Sequence, residues 1–140
     1  MNDSIIINTD GGSRGNPGKA AIGIIIWDKD HKVIEKYKEK IGITTNNVAE
    51  YKALIKALEL ILKIKDIENS YEIKVFMDSE LIVKQLNGVY KVKQNHLIPL
   101  FNSVKKLDSK FKKINYSHVK REDKYQQEAD KLVNEALDGL

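Results

Sequence analysis

The sequence predicts an α/β fold, and three observations predict it. Three apolar, β-branched runs come first, separated by short turns, as in an antiparallel meander. Patterns then follow as helix–strand–helix–helix–strand–helix, so the last two strands come after helical crossovers and should lie parallel to their sheet neighbours. Two of the strands run straight into an aspartate, Asp10 and Asp78. Helices are expected to cover the sheet.

The first strand is read at residues 4–10. Ile5, Ile7 and Thr9 fall on one face and Ile6, Asn8 and Asp10 on the other. Gly11, Gly12 and Gly15-Asn16-Pro17-Gly18 read as a loop. Ala20 to Trp27 is the second strand, Asp28-Lys29-Asp30 a turn, and Val33 to Ile41 a third strand with lysines and glutamates outward. Thr44-Thr45-Asn46-Asn47 offers capping side chains for a helix from about Val48 to Lys65, with Val48, Tyr51, Leu54, Ile55, Leu58, Ile61 and Leu62 as its apolar stripe. Glu68-Asn69-Ser70 breaks that pattern. A fourth strand, Ile73 to Met77, ends in Asp78, and Ser79 caps a helix that Asn87-Gly88 ends. Residues 89–95 are a lysine-bearing connection. His96 to Leu107 reads as a helix, Ile114 to Val119 as the fifth strand, Lys120 to Tyr125 as a charged loop and Gln126 to Leu137 as the last helix. No repeat or internal boundary interrupts residues 1–140, so one domain is expected.

The bulk numbers narrow the function. Hydrophobic residues make up 41% of 140, enough for a core. No apolar run approaches a membrane span and no signal pattern opens the chain, so a cytoplasmic protein without a membrane partner is expected. Cysteine is absent, which excludes disulfides and thiolate metal sites. A net charge of +4 suits a phosphate-rich partner, but a lysine-rich composition that serves solubility accounts for it as well.

Four acids break local rules. Asp10 and Asp78 terminate apolar strands, and ligands of open α/β sheets bind beyond the carboxyl ends of strands. Glu50 and Asp130 lie on the shoulders of apolar helical stripes. Each has a plainer alternative: a helix cap for the aspartates, a macrodipole partner for Glu50 in the first turn of its helix, and a partly exposed helix acid for Asp130. Gathered together, the four would repel unless neutralised. A divalent cation is the natural neutraliser, and an all-oxygen donor set selects Mg²⁺ or Mn²⁺ over zinc. Two such ions are the usual device for phosphodiester cleavage. The glycine stretch fails the P-loop pattern, because Gly18-Lys19 is followed by Ala20 and Ser13 stands at the earlier glycine position. Close backbone approach to a ligand is its expected role, with Asn16 offering hydrogen bonds. The three histidines, His31, His96 and His118, are scattered and read as surface or strand residues.

Four motifs, in order, resemble the type 1 ribonucleases H: Thr9-Asp10-Gly11-Gly12-Ser13 with Gly15-Asn16-Pro17-Gly18; Thr45-Asn46-Asn47-Val48-Ala49-Glu50; Asp78-Ser79-Glu80-Leu81; and Ala129-Asp130. The resemblance runs from about Ile5 to Leu137. It implies a ribonuclease H-like fold, a five-stranded mixed sheet with three antiparallel and then two parallel strands. It also implies endonucleolytic hydrolysis of the RNA strand of RNA–DNA hybrids by a two-metal-ion mechanism, leaving 5′-phosphate and 3′-hydroxyl ends. Asp10, Glu50, Asp78 and Asp130 match the metal-binding carboxylates, for two Mg²⁺ with Mn²⁺ as substitute. Asn16, Asn46 and Asn47 match minor-groove contacts, Thr45 matches a residue that holds a DNA-strand phosphate, and Gly11 and Gly12 are expected to bind substrate beside them.

Three departures from the family stand out. The long basic protrusion of many bacterial members is missing at residues 88–96, leaving weaker substrate binding or the use of Lys105, Lys106, Lys112 and Lys113. The catalytic-loop histidine is absent, and Arg121 is the expected substitute. Gln126 replaces an asparagine, and Glu80 stands where glutamine is common. Two alternatives compete with the hybrid nuclease: a non-catalytic hybrid- or duplex-binding module, and a metal nuclease that also cuts double-stranded RNA. A monomer is expected.

Overall fold

A computed structural model describes residues 3–64 and 71–140. Its five strands are β1 (Asp3–Gly15), β2 (Gly18–Asp28), β3 (Val33–Thr44), β4 (Tyr71–Met77) and β5 (Lys113–His118). The helices among the described residues are α1 (Asn46–Ile61), α2 (Glu80–Leu86), α3 (Ile98–Asp108) and α4 (Lys124–Leu137). The strand order is β3-β2-β1-β4-β5. The β1–β2 and β2–β3 pairs are antiparallel, and the β1–β4 and β4–β5 pairs parallel. The sheet is therefore the mixed one the sequence predicts, and β1 is where its two halves meet.

β1 and β2 are buried on both faces, which is why they read as nearly unbroken apolar runs. On one face Ile5, Ile7, Ile22, Ile24 and Ile26 pack with Tyr51, Leu54, Leu58 and Ile61 of α1 and with Ile73, Val75 and Met77 of β4. On the other face Ile6, Ile25 and Trp27 meet Leu132 of α4, and Ala21 meets Val133 and Ala136. Each fully buried leucine or isoleucine here contributes roughly 1.5–3 kcal/mol. β3 forms the outer edge, and its lysines and glutamates blunt that edge against further pairing.

The glycine stretch is not a loop. β1 continues through it to Gly15 and pairs with β2 as far as Gly15↔Gly18, so Asn16 and Pro17 alone form the turn. Long cross-strand pairing has overridden the glycines' preference for irregular backbone. Gly11 does serve close approach, but to α1: a Cβ there would stand 2.6 Å from the Glu50 amide nitrogen. Gly23 does the same for α4, where a Cβ would meet Leu132 Cβ at 2.9 Å. Gly23 is the cross-strand partner of Asp10. The two glycines thus let one helix on each face press against the sheet beside Asp10.

Helix ends shift by a few residues from the pattern-based reading. Thr45 caps α1, its hydroxyl accepting from the Val48 N–H at 3.3 Å, so α1 starts at Asn46 and Glu50 lies in its second turn rather than its first. The described part of α1 ends at Ile61; Lys65 and Glu68-Asn69-Ser70 lie outside the described residues. α3 starts at Ile98 rather than His96, with Pro99 in the first turn, where its missing N–H leaves no bond unmade. α4 starts at Lys124 because the Asp123 carboxylate accepts from the N–H groups of Tyr125 and Gln126 at 2.9 and 3.1 Å.

Candidate active site

The register of the sheet brings the strand-ending aspartates together. The β1–β4 ladder closes with Asn8↔Phe76, and Asp10 and Asp78 each lie two residues past that pair. Neighbouring strands run about 4.8 Å apart, so the two carboxylates emerge side by side where the strands part. α1 then supplies Glu50, whose carboxylate accepts a hydrogen bond from the Gly11 N–H. Oxygens of Asp10, Glu50 and Asp78 all lie within 4.8 Å of one another. Asp130 of α4 stands next to this group rather than within it. It lines the same cleft of about 580 Å³, and its charge acts on both Asp10 and Asp78.

Burial sets the electrostatics. Asp10 is 7% exposed and Glu50 6%. Burial, then the charges of Asp78 and Asp130, push the Asp10 carboxyl up to about 8. Burial and the neighbouring Asp10 and Asp78 raise Glu50 well above the ordinary carboxylate range. Burial also raises Asp78, while the guanidinium of Arg121 and the nearby His118 oppose the shift. Such a group of crowded, all-oxygen donors at the mouth of a cleft fits hard divalent cations. Asp10, Glu50 and Asp78, with Asp130 beside them, are the residues placed to hold them.

A stability prediction follows for the metal-free protein. Folded Asp10 keeps its proton to about pH 8, whereas in the unfolded chain it loses it near the ordinary aspartate value of 3.8. The folded state therefore binds more protons between these limits, and stability falls as pH rises through them. Melting in EDTA from pH 4.5 to 8.5 should show wild type losing a few kcal/mol that Asp10→Asn keeps, so that the variant is the more stable at pH 8. Parallel pH profiles for the two proteins would contradict this.

The other predicted site residues divide into two sets. Gly11, Gly12, Asn46, Asn47 and Arg121 line the cleft; Asn16 and Thr45 are not among its lining residues. Asn16 Oδ1 accepts from the Asn46 N–H at 3.0 Å, and Asn46 Oδ1 accepts from the Ser13 N–H at 2.9 Å and the Ser13 hydroxyl at 3.1 Å. These bonds tie the β1–β2 hairpin to the start of α1, and they use the oxygen end of each amide. The Nδ2 groups of both asparagines make no hydrogen bond among the described residues. Of the lysines considered as replacements for the missing protrusion, Lys105 donates to the Leu86 carbonyl at 2.7 Å and so caps α2, while Lys113 pairs with Glu72 at 3.7 Å. Lys105 is therefore committed within the fold, whereas the Lys113 pair is long and its lysine 67% exposed.

Three features escape pattern reading. Asn8 and Gln126 are buried and bonded to each other at 3.1 Å, Trp27 Nε1 donates to Asn8 Oδ1 at 2.9 Å, and Gln126 Nε2 donates to the Thr9 carbonyl at 2.8 Å. This network fastens α4 to β1 one residue before Asp10 and one helical turn before Asp130. Asn134 donates to the Asp130 carbonyl at 3.2 Å and to its carboxylate at 3.4 Å, which steadies that side chain. Arg14 also lines the cleft. Only Gln126 had a sequence signal, as the residue four before Asp130 that stands where the resemblance puts an asparagine.

Comparison with known proteins agrees with this geometry. Residues 8–136 match a family described as reverse transcriptase-like. The LC11 ribonuclease H1, isolated from compost and solved in complex with an RNA/DNA hybrid, is 45% identical, with a TM-score of 0.92 over 97% of this chain and 98% of that one. Ribonuclease H1 from Halobacterium salinarum is 34% identical and superposes over 100% of both chains with a TM-score of 0.87. A bifunctional protein of Mycobacterium tuberculosis is 43% identical over 96% of this chain, and the chain spans 35% of that relative's length. A ribonuclease H of Clostridium botulinum is 30% identical, covering 96% of this chain and 95% of its own. With the mixed sheet and the carboxylates at its parting strands, these likenesses show that the chain belongs to the type 1 ribonuclease H family.

Proposed function

We propose that the chain is a metal-dependent endoribonuclease that hydrolyses the RNA strand of RNA–DNA hybrids. The observation that carries this is the convergence of Asp10, Glu50 and Asp78, with Asp130 beside them, on a cleft rimmed by Asn46 and Asn47. The hybrid complex of the LC11 relative supports the choice of substrate. No helix among the described residues is long and apolar enough to cross a membrane.

Asp10, Glu50, Asp78 and Asp130 would hold two Mg²⁺ or Mn²⁺ ions. When bound, such ions neutralise the phosphate, lower the pKa of the attacking water and stabilise the leaving 3′-oxygen, so 5′-phosphate and 3′-hydroxyl ends result. The chain's own groups do the rest. Asn16 and Asn46 have their amide oxygens occupied by backbone and Ser13 donors, so each presents an N–H donor to acceptors of the minor groove. Asn47, Gly11 and Gly12 line the floor where a sugar edge would rest. The Gly11 N–H fixes the Glu50 carboxylate in place, and Glu50 would accept from a ribose 2′-hydroxyl, the group that separates RNA from DNA. Thr45 at the α1 cap would hold a phosphate of the DNA strand.

Arg121 takes the place of a catalytic-loop histidine, beside Asp78, where it stabilises charge during product departure. Arg121→Ala should lower kcat by about 10- to 100-fold, the usual effect of an outer partner of a metal site, while hybrid affinity changes far less. An unchanged kcat would remove Arg121 from the mechanism.

The proposal is tested with end-labelled RNA annealed to DNA. Cleavage in Mg²⁺ or Mn²⁺ that stops in EDTA and yields 5′-phosphorylated fragments is the expected result. Cleavage that continues in EDTA, or products carrying a 3′-phosphate, would overturn it.

A further inference from the structure

Two guanidinium groups line the carboxylate cleft, and the proposed mechanism uses only one. Arg121 precedes α4 on the β5 side of the sheet and acts on Asp78. Arg14 lies on the far side, at the tip of the β1–β2 hairpin. Its Nη1 donates to Asp138 Oδ1 at 2.6 Å, and its Nη2 to Asn134 Oδ1 at 3.4 Å. Asn134 in turn donates to Asp130. Arg14 thus sits one side chain away from the fourth carboxylate.

We propose that Arg14 is a phosphate-binding residue for the nucleic-acid strand that crosses the carboxylates, with Asp138 holding it in place until substrate arrives. This rests on the hybrid-nuclease reading. Four carboxylates face the cleft, and a polyanion needs compensating cations on both flanks of them as well as metal between. The Arg14–Asp138 pair suits exchange. Both side chains are 49% exposed, and a single-pronged exposed pair of this kind adds little to stability. Arg14 has five N–H donors in a rigid fork, and two are engaged, which leaves donors for phosphate oxygens. A backbone phosphate presents two unesterified oxygens where Asp138 engages Arg14 through one, so it would receive the guanidinium at two prongs. Asp138 caps the C-terminus of α4, so the hold on Arg14 is built into the helix end.

The plainer alternative is a clamp between hairpin and helix. In that case breaking the pair from either side gives the same result; in the proposed role the two sides give opposite results. Hybrid binding is measured by fluorescence anisotropy in Mg²⁺, in an Asp10→Asn background that keeps the substrate whole, from 50 to 200 mM salt (conditions, on the order of those where counterion release is steep). Arg14→Ala should raise Kd roughly tenfold and reduce the slope of log affinity against log salt by about 0.9. Arg14→Lys should keep the slope and recover part of the affinity. Asp138→Asn should lower Kd several-fold. Arg14→Ala and Asp138→Asn shifting Kd in the same direction, or neither shifting it, would reduce the pair to a clamp and overturn the inference. No hybrid binding by the background protein would sink the hybrid reading itself, and the inference with it.

Discussion

Asp10→Asn lowers kcat on an RNA–DNA hybrid by at least ~10³-fold, well beyond the 10- to 100-fold loss typical of outer partners of a metal site. Asp10 is the hub of the site. It sits between Glu50, Asp78 and Asp130, and the charges of the two aspartates act directly on it. An amide keeps the volume and one acceptor but removes the charge that a divalent cation needs. Folding survives, because the substitution also removes repulsion from a buried acid cluster. Single-turnover cleavage together with a melting curve checks both halves. Full activity in this variant would rule out a metal site built on these carboxylates.

Gly11→Ala destabilises the fold by about 3 kcal/mol or more, the upper part of the range for overpacking. The added methyl group meets backbone atoms of Ala49 and Glu50, which cannot turn aside as a side-chain tip can. α1 must move outward, and the Gly11–Glu50 hydrogen bond goes with it, so cleavage falls too. The control is one residue away. At Gly12 the nearest atoms to a Cβ are Val133 Cγ1 at 3.8 Å and Asn46 Oδ1 at 4.0 Å, ordinary contact distances. Gly12→Ala should therefore melt within a few degrees of wild type, where about 1 kcal/mol corresponds to roughly 3–5 °C. Equal melting temperatures for the two variants would show that α1 does not depend on the close approach at Gly11.

The contrast between those glycines marks what was legible in the sequence. The strands, the helices and all four acids could be read from period and position, because apolar periodicity reports which faces are buried and an acid at the end of such a run stands out. Thr45 and Ser79 were legible as caps for the same reason, since their chemistry acts within a few residues; Asn46 and Asn47, read with Thr45 as caps, lie inside α1, and the Asn46 side chain reaches Ser13 of the hairpin instead. What could not be read depends on partners far along the chain. Gly11 and Gly12 look identical in sequence, and only the helix packed on one of them separates their roles. Gly23 gives no signal at all, although it admits α4 beside Asp10. The glycine stretch was read as a loop because the pairing that extends β1 to Gly15 comes from β2. Lys105 looked free to bind substrate, yet the Leu86 carbonyl takes it. The Asn8–Gln126 bond spans 118 residues, beyond the reach of any local rule.

On the proposed function, this cleft selects the RNA strand of an RNA–DNA hybrid. One end-labelled RNA strand, presented in Mg²⁺ as RNA–DNA hybrid and as double-stranded RNA beside a double-stranded DNA of the same sequence, tests it most directly. Cleavage of the RNA in the hybrid, with both other duplexes intact, is the predicted result. Equal cleavage of double-stranded RNA, or an intact hybrid, would contradict it.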